Sequence, residues 1–378
     1  MSELKKRFLS LDVFRGMTIC FMIIVNTSGS GALAYAPLEH ATWHGFTPTD
    51  LVFPSFLFAV GNAMSFSLDK YRQISNSAFL TKIFKRTILI FLLGYLMYWF
   101  PFFGLDANWH IIGAPISHTR IMGVLQRIAL CYFFGSLMVY YLSTKNVIIV
   151  SIALLIGYWI ILLLFGSSTQ PLSMSGNAGI YFDKFLMGND HLYNGERIPF
   201  DPEGWLSTLP AIVNVVIGYF AGRFIQKKGK SFECLAKLML VGSLLIFIAI
   251  CWNLVFPINK KLWTSSFVLV TTGLDLLIIS ALMYVLEIKK WNRIRWSHFF
   301  EIFGRNPLFI YILSELMAEI LTMIKAGRHE NLFDYVNRVF FQVIAPGSFG
   351  ALLFAICYMM VCWFIGWWLN KRKIYIRV

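Results

Sequence analysis

Long apolar stretches follow one another along almost the whole chain, and they restrict its fold more than any other feature. Of the 378 residues, 58% are hydrophobic and only 14% are charged, with a mean hydropathy of +0.66. Since about 20 consecutive apolar residues cross a bilayer as a helix, we predict an all-α, polytopic integral membrane protein with about ten transmembrane helices. The predicted spans cover residues 11–31, 48–68, 85–104, 121–142, 146–166, 205–225, 235–257, 263–287, 298–322 and 346–370.

The positive charges are distributed unevenly between the segments that connect these spans. The net charge is +14, and 23 Lys and Arg residues fall on the side of the N-terminus against 8 on the opposite side. Because Lys and Arg concentrate in cytoplasmic segments, we predict that both termini are cytoplasmic. The basic excess is thus explained by topology and by attraction to anionic membrane lipid, and no nucleic-acid partner is expected.

The chain is predicted to form one transmembrane domain over residues 1–378, with large outer loops at 167–204 and 325–345. No internal repeat is found by inspection, so a transporter built from inverted repeats is not favoured. Five of the six cysteines lie in predicted spans, and none has the C-x-x-C spacing of a metal site. Buried free thiols, without disulfides or a bound metal, are therefore expected.

A polar segment between the first two spans, residues 26–50, holds side chains that are unusual next to a bilayer. It contains the polar residues Asn26, His40, His44 and Asp50, and also Trp43. Such groups are expensive near lipid, and by default they indicate a functional site. This segment is therefore the first candidate for chemistry.

Several sequence blocks resemble the heparan-α-glucosaminide N-acetyltransferase family. They are Ser10 to Gly16, His40 to Pro54, Arg120 to Ala129, Phe200 to Ala211, Leu262 to Phe267 and Gly304 to Tyr311. The resemblance implies a membrane-embedded N-acetyltransferase that moves the acetyl group of acetyl-CoA to the amine of a glucosamine-type sugar. It also implies that acetyl-CoA enters from the cytoplasm and that the sugar is offered on the periplasmic face of a multi-pass protein of the bacterial inner membrane.

By this resemblance, the essential histidine of the family is His40. Aminolysis of a thioester needs a base that works near neutral pH, which is the usual role of histidine. Asp50 would hold the imidazole in one tautomer or cap the helix that follows it, and the two roles are compatible. Asn26 would donate its amide to the thioester oxygen. Direct attack by the amine is favoured over an acetyl-histidine intermediate, although both remain open.

The phosphates of acetyl-CoA require positive charge, and the candidates are Arg15, Arg127 and Arg305. Gln126 and Asn306 would supply hydrogen bonds to the same ligand. The alternative for Arg15 is a structural ion pair with Asp12, since the two residues are spaced i, i+3.

For the acceptor sugar, the candidates are Trp43 and His44, which would shape the pocket, together with Asp201 and Glu203 in the outer loop. The two carboxylates would bind sugar hydroxyls or an ammonium, or merely begin the next helix. The alternative function is a transporter of amino sugars or N-acetylated sugars. The acceptor, the face that it enters from and the oligomeric state, a homodimer included, stay open at this point.

Overall fold

The computed structural model describes residues 8–29, 34–71, 75–105, 109–292, 295–327 and 330–376. Several of the basic residues counted above lie outside the described residues, namely Lys5, Lys6, Arg7, Arg72, Arg293, Arg328 and Arg377. The described chain is helical, with one two-stranded hairpin made of β1 (Phe103–Leu105) and β2 (Ile111–Gly113). The helices are α1 (Leu9–Asn26), α2 (Val52–Tyr71), α3 (Asn76–Trp99), α4 (Val124–Tyr141), α5 (Thr144–Phe165), α6 (Ala178–Met187), α7 (Thr208–Lys228), α8 (Phe232–Asn253), α9 (Ser265–Met283), α10 (Trp296–Arg305), α11 (Pro307–Met323), α12 (Leu332–Val336), α13 (Gln342–Ile344) and α14 (Ser348–Lys371).

Eight helices among the described residues are long and apolar enough to cross a membrane. They are α1, α4, α5, α7, α8 and α14, together with α2 and α9 extended by their adjoining turns. α3 spans 24 residues, but its first half carries Lys82, Lys85 and Arg86. Because of these charges it is not one of the eight candidate spans. The predicted all-α, polytopic membrane class is confirmed.

The span predicted at 298–322 is two helices rather than one. α10 and α11 form a ninth candidate span that bends by 82° between Arg305 and Pro307. The cause is local, because Pro307 has no backbone N–H and disfavours helical backbone at the residue before it. Asn306 accordingly leaves the helical region, with φ −130° and ψ 51°.

Small residues allow the closest helix contacts. A Cβ at Gly16 of α1 would lie 1.8 Å from the carbonyl oxygen of Phe300 in α10, and one at Gly61 of α2 would lie 1.8 Å from that of Val215 in α7. Membrane helices pack through such positions because lipid supplies little hydrophobic drive for their association. The two contacts fix α1 on α10 and α2 on α7.

Segments predicted on the same side of the membrane are in contact. On the predicted cytoplasmic side, the Ser10 backbone N–H donates to Glu287 Oε1 at 3.2 Å, and Lys230 forms an ion pair with the same carboxylate. On the predicted outer side, Arg120 pairs with Asp201 at 2.6 Å. The helix order therefore produces two distinct faces, while the orientation of those faces in the membrane stays a prediction from charge.

Candidate active site

The loop between α1 and α2 holds His40 against Asp50. His40 Nδ1 lies 2.7 Å from Asp50 Oδ1, and the carboxylate is fully buried while 39% of the imidazole side chain is exposed. A carboxylate accepts hydrogen bonds, so Nδ1 carries the proton and Nε2 presents its lone pair. This is the arrangement that a general base requires.

Asp50 also organises the backbone around the histidine. Its Oδ2 accepts from the Thr47 N–H at 2.9 Å and from the Ala41 N–H at 3.3 Å, and the Thr47 hydroxyl donates to it at 3.1 Å. Thr47 and Asp50 form a capping box for the turn Pro48–Leu51. The contacts that the two suggested roles of Asp50 require are thus made by different oxygens of one carboxylate.

Lys260 approaches the other side of the imidazole. Its Nζ lies 3.2 Å from His40 Nε2. Burial lowers the pKa of Lys260 from its ordinary value of 10.5, although Glu203 and Asp50 act in the opposite direction. From the sequence, Lys260 was counted only among the positive charges of the outer side. Its position two residues before the Leu262–Phe267 block could have marked it as a site residue.

Trp43 and His44 connect the His40 loop to other segments of the chain. Trp43 Nε1 donates to the Leu172 carbonyl at 2.9 Å, and its ring packs edge-on against Phe200 with centroids 5.8 Å apart. His44 Nδ1 lies 3.4 Å from the side-chain amide of Asn259, which directly precedes Lys260. Burial lowers the pKa of His44. The His44 contact ties the loop to the segment that carries Lys260, and the Trp43 contacts tie it to the segment 167–204.

Asp201 and Glu203 share one arginine that the sequence analysis also missed. Arg120 donates to both Asp201 oxygens, at 3.0 and 2.6 Å, and to Glu203 Oε2 at 2.6 Å. Its guanidinium lies between the Tyr98 and Tyr193 rings, 4.9 and 4.6 Å from their centroids. Burial alone would raise the pKa of Glu203, but Arg120 and Lys260 outweigh it and lower that pKa.

The residues predicted to bind CoA fall into two separate groups. Gln126 and Arg127 lie at the start of α4, on the outer side, where Arg127 donates to the Gly204 carbonyl at 3.1 Å and to the Ser207 hydroxyl. Both side chains are fully buried. The Gln126 amide and two nitrogens of Arg127 have no hydrogen-bond partner in the described structure. Buried polar atoms are normally paired, so these atoms point to a polar ligand or water.

The second group lies around the crossing of α1 and α10. Arg15 Nη2 pairs with Asp12 Oδ1 at 3.1 Å, as the i, i+3 spacing suggested. Arg305 donates to Asn370 at 2.5 Å and pairs with Glu301 at 3.3 Å. Asn306 holds the C-terminal segment, since its amide donates to the Ile374 carbonyl at 3.0 Å. All three therefore make structural contacts.

Within the described residues, Asn26 forms its side-chain hydrogen bond with a distant helix and not with His40 or Asp50. Its amide donates to Glu315 Oε1 of α11 at 3.0 Å. The structure thus joins His40 to Asp50 and Lys260, and it joins Asn26 to a carboxylate of another helix. The amide has two N–H groups, so this bond occupies one of the two donors that Asn26 could offer to the thioester oxygen.

A cavity of about 1250 Å³ opens at the predicted cytoplasmic ends of α4, α7 and α8. Its wall is mainly apolar and carries three cationic side chains, Arg223, Lys227 and Lys237, of which Lys237 also pairs with Glu233 at 2.6 Å. None of the arginines predicted for CoA lines it. The sequence marked these three cations only as cytoplasmic charge, because their convergence depends on how α7 and α8 pack.

Comparison with known proteins decides the family. The family described as heparan-alpha-glucosaminide N-acetyltransferase, catalytic, matches residues 7–256, well over half of the chain. The chain belongs to this family. The family's description is that of the catalytic part of an N-acetyltransferase. The matched range includes the His40–Asp50 dyad and Arg120, whereas Lys260 and Glu315 lie beyond it.

Two curated relatives are similar to a larger share of the chain. The heparan-alpha-glucosaminide N-acetyltransferase of Homo sapiens is 27% identical over 370 residues, covering 84% of this chain and 54% of the human protein. That of Mus musculus is 26% identical over 365 residues, covering 82% and 54%. The chain spans about half the length of these relatives.

Proposed function

We propose that this protein transfers the acetyl group of acetyl-CoA to the amine of a glucosamine-type sugar at a bacterial inner membrane, with His40 as general base. The observation that carries the proposal is the position of Lys260. Its Nζ is a primary amine at hydrogen-bond distance, 3.2 Å, from the basic nitrogen of a histidine that Asp50 orients. An acceptor amine in the same place would have its proton next to Nε2.

The residues support a direct transfer. The amine nitrogen attacks the thioester carbonyl, and His40 Nε2 takes the proton that the nitrogen gives up. The C–N bond forms, the C–S bond breaks, and the imidazolium returns the proton to the departing CoA sulfur. Lys260, displaced from Nε2 by the acceptor, would lie beside the developing oxyanion and stabilise it. We assign this role to Lys260 in preference to Asn26, because Lys260 is the residue that contacts His40, whereas the Asn26 amide is directed to Glu315.

For acetyl-CoA, we assign the phosphates to the cavity that Arg223, Lys227 and Lys237 line. Its cations suit phosphate groups and its apolar wall suits the rest of the ligand. The unpaired atoms of Gln126 and Arg127 would then pair with the amides of the pantetheine arm. This assignment keeps Gln126 and Arg127 as predicted ligands, and it replaces Arg15 and Arg305 for the phosphates.

The test is an assay on the purified protein with radiolabelled acetyl-CoA and a panel of amino sugars. We expect an acetylated sugar with the wild type and a loss of at least about 10²-fold in kcat for His40→Ala. The matched control is His298→Ala, which removes an exposed histidine of α10, and it should keep wild-type turnover. An active, folded His40→Ala variant would overturn the assignment. Uptake of labelled sugar into proteoliposomes without CoA release would support the transporter instead.

A further inference from the structure

Backbone contacts hold the segment that carries Lys260 against the His40 loop. The Gly45 N–H donates to the Ile258 carbonyl at 2.9 Å, which joins the two segments two residues before Lys260. The turn itself is closed, because the Trp263 N–H donates to the Lys260 carbonyl at 3.1 Å. The approach of the Lys260 amine to His40 is therefore supported by the backbone on both sides.

Lys260 differs from its neighbour Lys261 in what it contacts. Lys261 forms an ion pair with Glu196 at 2.6 Å, whereas no carboxylate forms an ion pair with Lys260 among the described residues. Lys260 Nζ instead lies 3.2 Å from His40 Nε2. Burial also lowers the pKa of Lys260, which increases the share of the neutral amine that can act as a nucleophile.

The Lys260 amine occupies the place that the proposed function gives to the acceptor. The transfer requires a primary amine beside His40 Nε2, and Lys260 Nζ is such an amine. The residue is only half-buried, so the acetyl donor can approach it. When acetyl-CoA is bound and no sugar is present, Lys260 remains next to the base as an alternative nucleophile.

We propose that Lys260 is a site of self-acetylation, which acetyl-CoA modifies when the acceptor is absent. The neutral amine attacks the thioester carbonyl, and His40 Nε2 takes the proton that the nitrogen gives up. The C–N bond of the acetylated lysine forms, the C–S bond breaks, and the imidazolium returns the proton to the CoA sulfur. This inference rests on the proposed function, since it uses the same base and the same acetyl donor.

The modification inactivates the enzyme. Acetylation removes the positive charge of Lys260, which the proposed mechanism places beside the oxyanion. The product is an amide, which is not activated as a thioester is, so its acetyl group is not passed on to a sugar. A bound acceptor prevents the reaction because it displaces Lys260 from His40 Nε2.

The test incubates the purified protein with radiolabelled acetyl-CoA and no sugar, and peptide mass spectrometry then locates the label. We expect one acetyl group on Lys260, stable to hydroxylamine as an amide is, and a parallel loss of transferase activity. Lys261 is the internal control and should stay unmodified. A saturating concentration of glucosamine should protect both Lys260 and the activity.

Two variants distinguish a reaction at the base from chemical acetylation of an accessible lysine. In His40→Ala, Lys260 should be labelled at least about 10²-fold more slowly, while the control His298→Ala should be labelled as fast as the wild type. Lys260→Arg keeps a positive charge but has no amine, so it should take up no acetyl group. Its turnover should not decline during preincubation with acetyl-CoA.

The outcomes separate this inference from the proposed function. A wild type that acetylates sugar but leaves Lys260 unlabelled would overturn the inference and leave the acetyltransferase in place. Equal labelling of Lys260 in His40→Ala, or of Lys261 in the wild type, would also overturn it, as would a hydroxylamine-sensitive acetyl group on His40 in place of Lys260. Label on Lys260 without acetylation of any sugar would support the inference and contradict the proposed acceptor. Neither label nor acetylated sugar would contradict both.

Discussion

Lys260 Nζ lies 3.2 Å from His40 Nε2, on the side of the imidazole opposite Asp50. The histidine is therefore held between a carboxylate and an ammonium that come from different parts of the chain. In the proposed mechanism, Asp50 holds the base in one tautomer and Lys260 supplies the positive charge next to it.

The first prediction concerns Lys260. Lys260→Met should lower kcat at least about tenfold, because it removes the cation that we place beside the oxyanion. Lys261→Met is the matched control, since Lys261 pairs with Glu196 at 2.6 Å and not with His40. Because the pKa of Lys260 is lowered by burial, wild-type kcat should decline with rising pH before 10.5 is reached. The decline should be absent in Lys260→Met, and its persistence there would argue against this role.

The second prediction concerns Asp50. Asp50→Asn keeps an acceptor for the Thr47 N–H but presents an amide to His40 Nδ1, which favours the other tautomer. We expect kcat to fall about 10²- to 10⁴-fold, with a smaller change in the KM for acetyl-CoA. Glu39→Gln, an exposed carboxylate of the same loop, provides the control. The measurement is the steady-state kinetics of the two variants, with size-exclusion profiles to verify folding. Equal kcat values for Asp50→Asn and Glu39→Gln would refute the orienting role.

The third prediction concerns the basic cavity. Arg223→Ala/Lys227→Ala should raise the KM for acetyl-CoA about tenfold or more through loss of charge-assisted contacts to phosphate, while the KM for the sugar stays near its wild-type value. Lys228→Ala is the control, because Lys228 pairs with Glu233 at 2.8 Å and does not line the cavity. If Arg15→Ala raised the KM for acetyl-CoA and the cavity variant did not, the phosphates would be assigned to Arg15, as the sequence suggested.

The fourth prediction concerns stability and pH. Burial raises the pKa of Asp183 in α6 from 3.8 to about 7. Between about pH 4 and 7 the folded state holds a proton that the unfolded chain has lost, so this residue makes the protein less stable as pH rises. Asp183→Asn removes the titration and keeps an acceptor for the Trp205 N–H, now 2.9 Å from Asp183 Oδ1.

The Tm of Asp183→Asn minus that of the wild type should therefore increase from pH 5 to pH 8, as measured by thermal unfolding in detergent. Asp190→Asn, an exposed residue in the same outer loop, should show no such trend. A difference independent of pH would mean that Asp183 does not titrate in this range.

The sequence by itself determined the membrane class, most of the membrane helices and the contact between His40 and Asp50. Hydrophobic runs require helices because lipid offers backbone groups no hydrogen-bond partners. His40 and Asp50 are only ten residues apart, on a short loop whose Thr47–Asp50 capping box is a local motif. A pair of this kind is constrained by the chain itself, so its contact could be predicted without the fold.

Only the tertiary structure decided which distant residues complete the site. Lys260 is 220 residues from His40, and Asn26 meets Glu315 across 289 residues, so no local pattern specifies either contact. The sequence already placed Arg127 near the outer end of the predicted span 121–142, but only the fold shows that it contacts Gly204 and Ser207, which are 77 and 80 residues away. The physical reason is that helix packing, determined by close approaches such as Gly16 on Phe300, fixes which ends of which helices meet.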